Sequence, residues 1–167
     1  RSSAASDVYK RQELPYMRST SKNGRSILFF SRKEIQTEFI RKHKTQTGYI
    51  NVSSPELTAI DLIENEKSVG GLNRVCTVLN ELVDVVNLDS LNDSFFKASS
   101  TPVFQRLGYI MEHILEREDL AETLYSKMEV AGLKFRKVPF KVNKPTGYCE
   151  VDKKWKVIIN QEIEIDE

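Results

Sequence analysis

The chain has 167 residues and 19.2 kDa, with 40% hydrophobic and 29% charged residues and a formal net charge of +1. That length suits one soluble globular domain: roughly 70% of the unfolded surface can be buried at this size, and little remains for a second core. No run approaches the ~20 apolar residues of a membrane span, no apolar segment of signal-peptide type heads the chain, and two cysteines with two histidines make neither a disulfide framework nor a zinc pattern. A cytoplasmic protein without a cofactor is expected, with Cys76 and Cys149 as reduced thiols.

The first twelve residues read RSSAASDVYKRQ. The last eleven of them match the translation of a transposon-end sequencing adapter. Residues 1–12 are therefore expected to be a disordered artefact, set aside as a tag would be, and the parent protein is expected to begin further upstream. Charge is split along the chain: residues 1–50 carry 11 Lys and Arg against 4 Asp and Glu, and residues 51–167 carry 14 against 20. A basic head of this kind suits an anionic partner such as nucleic acid, and equally a solvated surface.

From residue 13 the chain is polar and turn-rich, and Asn23-Gly24 is a strong hairpin signal. Residues 26–31 (SILFFS) predict a short strand. Residues 32–44 predict a short helix, with Ile35, Phe39 and Ile40 on one side and Arg41, Lys42 and Lys44 at its end. Residues 49–52 predict a second strand after the Thr47-Gly48 turn. Ser53-Ser54-Pro55-Glu56 reads as a helix start: a serine caps, Pro55 wastes no N–H in the first turn, and Glu56 completes a capping box or complements the dipole. Leu57, Ala59, Ile60 and Ile63 supply the buried stripe.

Gly70-Gly71 breaks the chain before a second helix over residues 72–86, where apolar residues recur every three to four positions. A third helix is predicted from Asp89, burying Leu91, Phe95 and Phe96. A fourth starts at Thr101-Pro102 and turns Val103, Leu107, Ile110, Met111 and Ile114 inward. A fifth follows Asp119, with Leu120, Leu124 and Met128 inward and Gly132 as its stop. Residues 133–142 return to alternation, with Pro139 arguing for an edge position; residues 143–147 turn, and residues 154–163 predict the last strand. The fold class is α+β, with about five helices in the middle of the chain flanked by short β-strands at both ends.

Side chains able to do chemistry are sparse. Glu112 and Glu116, four apart, suit one solvated helix face. Glu150, Asp152 and Lys154 form E-x-D-x-K, the acidic pair plus lysine that a metal-dependent nuclease sets around a cation; this is a rival reading. Ser53 and Ser54 read as caps in the absence of a neighbouring base. His43 lies in a basic run and reads as a surface residue, His113 reads as structural, and Cys76 reads as a small core residue. Gly70-Gly71 lacks the G-x-x-x-x-G-K spacing of a phosphate loop. The residues alone therefore describe a non-enzymatic domain.

Four strings stand in order along the chain: TGYINVSSPELTAIDLI (47–63), GGLNRVCTVLNEL (70–82), QRLGYIMEHI (105–114) and KWKVIIN (154–160). Together they resemble the C-terminal region of the AbiEi family of antitoxins, from type IV toxin–antitoxin and abortive-infection systems of phage defence. The motif positions in this sequence are Pro55, Glu56, Asp61, Gly70, Gly71, Gly108 and Trp155. The resemblance implies a bifunctional parent. A winged-helix N-terminal domain, missing from this chain, would bind operator DNA and repress its own operon. The C-terminal domain, residues 13–167 here, would counteract a cognate nucleotidyltransferase-like toxin, with no membrane partner.

Expected partner contacts are Arg32, Lys33, Arg41, Lys42, Lys44 and Arg106. The five cations of the basic head can add salt-dependent phosphate contacts, which keeps a nucleic-acid-binding module open as an alternative. Arg106 is expected to pair with a helix acid such as Glu112 or with a partner carboxylate.

Overall fold

A computed structural model of the chain describes residues 19–27, 29–31, 34 and 36–165. The adapter-like segment, Leu28, Arg32, Lys33 and Ile35 lie outside the described residues. The chain divides into two units, residues 1–35 and 36–167.

In the first unit Asn23 and Gly24 both adopt positive φ (54° and 72°), the two-residue turn whose twist matches that of paired strands. It joins β1 (Thr20–Lys22) to β2 (Arg25–Ile27), antiparallel with Ser21 opposite Ser26. The strand expected over residues 26–31 is shorter than its apolar pattern. The ladder ends where Ile27 meets Thr20, and Phe29 and Phe30 lie beyond it, exposed.

In the second unit a 3₁₀ turn (Thr37–Phe39) buries Phe39. β3 (Ile40–Thr45) and β4 (Gly48–Ser53) then form an antiparallel ribbon. This corrects the helix expected over residues 32–44. Apolar spacing stops at Ile40, and residues 41–45 (RKHKT) offer no face to bury, whereas pairing with β4 satisfies their backbone groups.

α1 (Pro55–Glu64) starts as its sequence requires, with Ser54 Oγ accepting the Leu57 N–H at 3.2 Å and Pro55 in the first turn. Leu57, Ala59, Ile60 and Ile63 are buried. Because Ser54 rather than Ser53 is the cap, Glu56 falls one position short of a capping box. Its buried carboxylate instead accepts the Asn87 N–H at 2.6 Å. Gly70 and Gly71 (φ 108° and 90°) turn the chain into α2 (Leu72–Leu82) through a backbone that residues with a β-carbon rarely adopt. α2 ends at Leu82 rather than Val86, where the β-branched Val83, Val85 and Val86 favour helix least and Glu56 draws the Asn87 N–H away.

The third predicted helix is divided. A 3₁₀ turn (Leu88–Ser90) precedes α3 (Asp93–Lys97), because the Asn92 side chain accepts the Phe95 N–H at 3.1 Å and starts a new helix. α4 (Thr101–Tyr109) runs into a π-turn (Ile110–Ile114), closed by the Leu115 N–H on the Ile110 carbonyl at 2.9 Å. Glu116 leaves the helix at φ 54°, so Glu112 and Glu116 do not share a helical face. α5 (Glu118–Val130) closes with the N–H groups of Gly132 and Leu133 on the carbonyls of Glu129 and Met128, as the Gly132 stop predicts.

The tail is mostly irregular. β5 (Val138–Pro139) and β6 (Val157–Ile158) pair in parallel, and Val151 bridges Ile158. The strand expected over residues 154–163 contracts to β6. Trp155 sits in a turn tied by Asp152 Oδ2, which accepts the Trp155 N–H at 2.6 Å, and Lys156 takes φ 54°. Pro139 does occupy a strand paired on one side among the described residues. The α+β class holds: five α-helices lie between short strands at either end.

Beneath the helices Phe39, Phe95, Phe96 and Phe104 meet edge to face or tilted, with centroids 5.0–5.9 Å apart. Each such pair contributes about 0.5–1.5 kcal/mol beyond its buried area. No helix among the described residues is long and apolar enough to cross a membrane.

Candidate functional site

Most of the motif positions are engaged in holding the fold. Pro55 opens α1, and Asp61 accepts the Asn65 N–H and Nδ2 on its carbonyl at 3.1 and 2.9 Å, closing the same helix. α4 turns Gln105, Gly108 and Tyr109 inward. Gln105 is fully buried, and its Nε2 donates to the carbonyls of Arg136 (2.8 Å) and Trp155 (2.6 Å). A β-carbon on Gly108 would stand 2.1 Å from the Trp155 ring, so only glycine fits there. Trp155 is itself fully buried, and its Nε1 donates to Glu112. Lys154 joins Glu112 and Glu122 at 3.2 and 3.0 Å.

Arg106 does not pair with Glu112. Six residues apart on the helical course, the two face different ways, and Glu112 is held by Trp155 and Lys154. Arg106 Nε instead donates to the Pro139 carbonyl at 2.9 Å. Burial pushes its guanidinium pKa down, and the nearby charge of Glu66 opposes that. Glu66 is itself buried, with Lys141 Nζ at 2.6 and 2.8 Å from its two oxygens.

The π-turn gathers a cluster that sequence reasoning missed. His113 Nε2 lies 3.0 Å from Asp152 Oδ1, and the Tyr109 ring stands 5.0 Å from the imidazole. Burial, then the Asp152 charge, raises the Tyr109 hydroxyl. Burial works to raise the Glu112 carboxyl, but hydrogen bonds from Trp155 and Lys154 and the charges of Lys154 and His113 hold it below the usual carboxylate range. The sequence offered two signals for this site, the adjacent Glu112 and His113 and the Asp152 and Lys154 of E-x-D-x-K; nothing in it marks a π-turn or brings the two together.

The E-x-D-x-K residues are taken up by bonds within the fold or left in solvent. Asp152 is tied to Trp155 and His113, Lys154 to Glu112 and Glu122, and Glu150 is exposed. Among the described residues, no three His, Cys, Asp or Glu side chains are grouped to hold a metal ion. Cys76 is fully buried, and burial pushes its thiol up to about 12.

Arg41, Lys42 and Lys44 all stand exposed on β3, beside His43. Register and alternation place Lys42 and Lys44 on one face with Tyr49 and Asn51, and Arg41 and His43 on the other with Ile50 and Val52. Tyr49 is 69% exposed and Ile50 51%. No acidic residue occurs between Glu38 and Glu56. Arg32 and Lys33 lie outside the described residues, and Arg106 is engaged with the tail.

A family model described as the AbiEi antitoxin C-terminal domain matches residues 19–113. No curated protein and no solved structure matches the chain. The matched span takes in both hairpins, α1 to α4 and the π-turn as far as His113, and every motif position except Trp155.

Proposed function

The chain belongs to the family of AbiEi antitoxin C-terminal domains, and from that premise we propose that it is the part of its parent protein that counteracts a nucleotidyltransferase-like toxin in a type IV toxin–antitoxin system. The parent acts in the cytoplasm and carries an upstream winged-helix domain that recognises operator DNA and represses its own operon. The observation that carries this reading is the family match over more than half of the chain. It is supported by the engagement of Asp152, His113, Lys154 and Glu112 in bonds that hold the fold, which suits a surface for recognition. Co-expression of the parent with the toxin encoded beside it should restore growth, and deletion of this domain should abolish the rescue. A parent that gives no protection, or protects equally well without the domain, overturns the proposal.

The β3–β4 ribbon favours a second reading, a nucleic-acid contact through the basic residues. Arg41, Lys42 and Lys44 are exposed with no acid between them, the pattern of phosphate contacts that lack sequence specificity. Replacing all three with alanine should weaken duplex DNA binding and lower the salt slope by about 2.7, at ~0.9 per phosphate. An unchanged slope removes the ribbon from any such role.

A further inference from the structure

The β3–β4 ribbon is tied at both ends and open between them. At its base Ile40 packs against the core, the Ser54 N–H donates to the Phe39 carbonyl at 2.7 Å, and Ser53 Oγ meets Thr58 Oγ1 at 2.7 Å. At the far end Thr45 Oγ1 donates to the Gly48 carbonyl at 3.1 Å and closes the turn. Residues 41–44 and 48–52 are all exposed.

The two faces of the ribbon differ in kind. Register sets Lys44 opposite Tyr49 and Lys42 opposite Asn51, so these four side chains share one face. Tyr49 is 69% exposed, and its ring meets no other ring among the described residues. Neither lysine forms an ion pair among them. The opposite face sets Arg41 against Val52 and His43 against Ile50, with β-branched side chains where the first face has a tyrosine and an amide.

We infer that the Tyr49 face binds single-stranded nucleic acid, an assignment that rests on the nucleic-acid reading of the ribbon and names the form of its ligand. An unpaired base stacks on the Tyr49 ring while Lys42 and Lys44 hold successive phosphates, the pairing of aromatic platform and cations that single strands use. The two lysines stand two residues apart on β3, about 6.8 Å at ~3.4 Å per residue. Asn51, beside the ring on β4, offers both donors and an acceptor to a base edge. A duplex hides the faces of its bases in its own stack. There only the phosphates remain to be met, and the ring adds nothing. Because the ribbon is already fixed at base and turn, little backbone ordering opposes binding.

Fluorescence anisotropy of the full chain tests this, with end-labelled octauridylate, octathymidylate and a short DNA duplex as probes at fixed ionic strength. Tyr49→Ala should weaken both single strands about tenfold, equivalent to ~1.4 kcal/mol, and leave the duplex unchanged. Tyr49→Phe keeps the ring and should keep the affinity. Lys42→Ala and Lys44→Ala should weaken strand and duplex alike, each lowering the salt slope for the strands by about 0.7; Tyr49→Ala should leave that slope as it was. Ile50→Ala, on the opposite face, should change nothing. Tighter octauridylate binding names RNA as the ligand, and tighter octathymidylate binding names DNA. Strand affinity unaltered in Tyr49→Ala, or an equal loss on the duplex, overturns the inference while a lowered duplex salt slope in the triple alanine variant leaves the phosphate reading standing. No binding of any probe at millimolar concentration overturns both.

Discussion

The ring of Trp155 occupies the space in which a side chain at position 108 would begin: a β-carbon on Gly108 would stand 2.1 Å from both Cη2 and Cζ3. Neither partner can yield, since Gly108 is helix backbone and Trp155 is fully buried. Gly108→Ala is therefore expected to destabilise the fold by about 1–3 kcal/mol or more, as overpacked cores do. Trp155→Ala should lose about 3–5 kcal/mol. Urea denaturation of the double variant decides whether the two act together: with the ring gone, the extra methyl group should have little further effect.

Glu112 gives the domain an acid sensitivity. Its carboxyl is held below the ordinary value, so its stabilisation is fully present above the unfolded glutamate pKa of about 4.3 and is lost as pH falls through the depressed value. Glu112→Gln keeps an acceptor for Trp155 Nε1 but carries no charge for Lys154. Melts between pH 3 and 5 should show a shallower decline in the variant than in the natural chain, beginning below about pH 4.3.

The two thiols should differ in reactivity. Cys76 is fully buried and raised to about 12, while Cys149 is partly exposed. Thiolate is the nucleophile, so brief treatment of the folded chain with iodoacetamide should label Cys149 and spare Cys76, as mass spectrometry would show. In denaturant both should react.

Glu56 ties α1 to the start of the Leu88–Ser90 turn through its buried carboxylate on the Asn87 N–H. Glu56→Ala leaves that N–H without its acceptor and should destabilise by about 1–3 kcal/mol. For a chain of this length that lowers Tm by about 2–4 °C per kcal/mol. Glu56→Gln, which retains an acceptor oxygen, should lose distinctly less; an equal loss would show that charge rather than hydrogen bonding holds the contact.

The helical middle was legible because local chemistry and burial agree there. Ser54 with Pro55, Gly70 with Gly71, and Gly132 mark boundaries that the backbone obeys. The strands were harder, because their hydrogen bonds come from partners that no local pattern names. The helix expected over residues 32–44 gave way to β3, which gains its pairing from β4, and the last strand shrank around a turn built by Asp152 for the sake of Trp155. Arg41, Lys42 and Lys44 were nominated from charge alone, and the structure leaves them exposed. The His113–Asp152 contact joins a π-turn to a distant loop, and Gln105 gains meaning only when Arg136 and Trp155 arrive beside it. Contacts between segments far apart in the chain leave no periodicity to read.

The clasp made by Gln105 sets a lower bound on how far this domain can be trimmed. A version cut at His113, where the family match stops, would strip both carbonyls from a buried amide and the indole from its seat on α4. The matched span is thus not self-sufficient: it borrows its floor from the residues that come after.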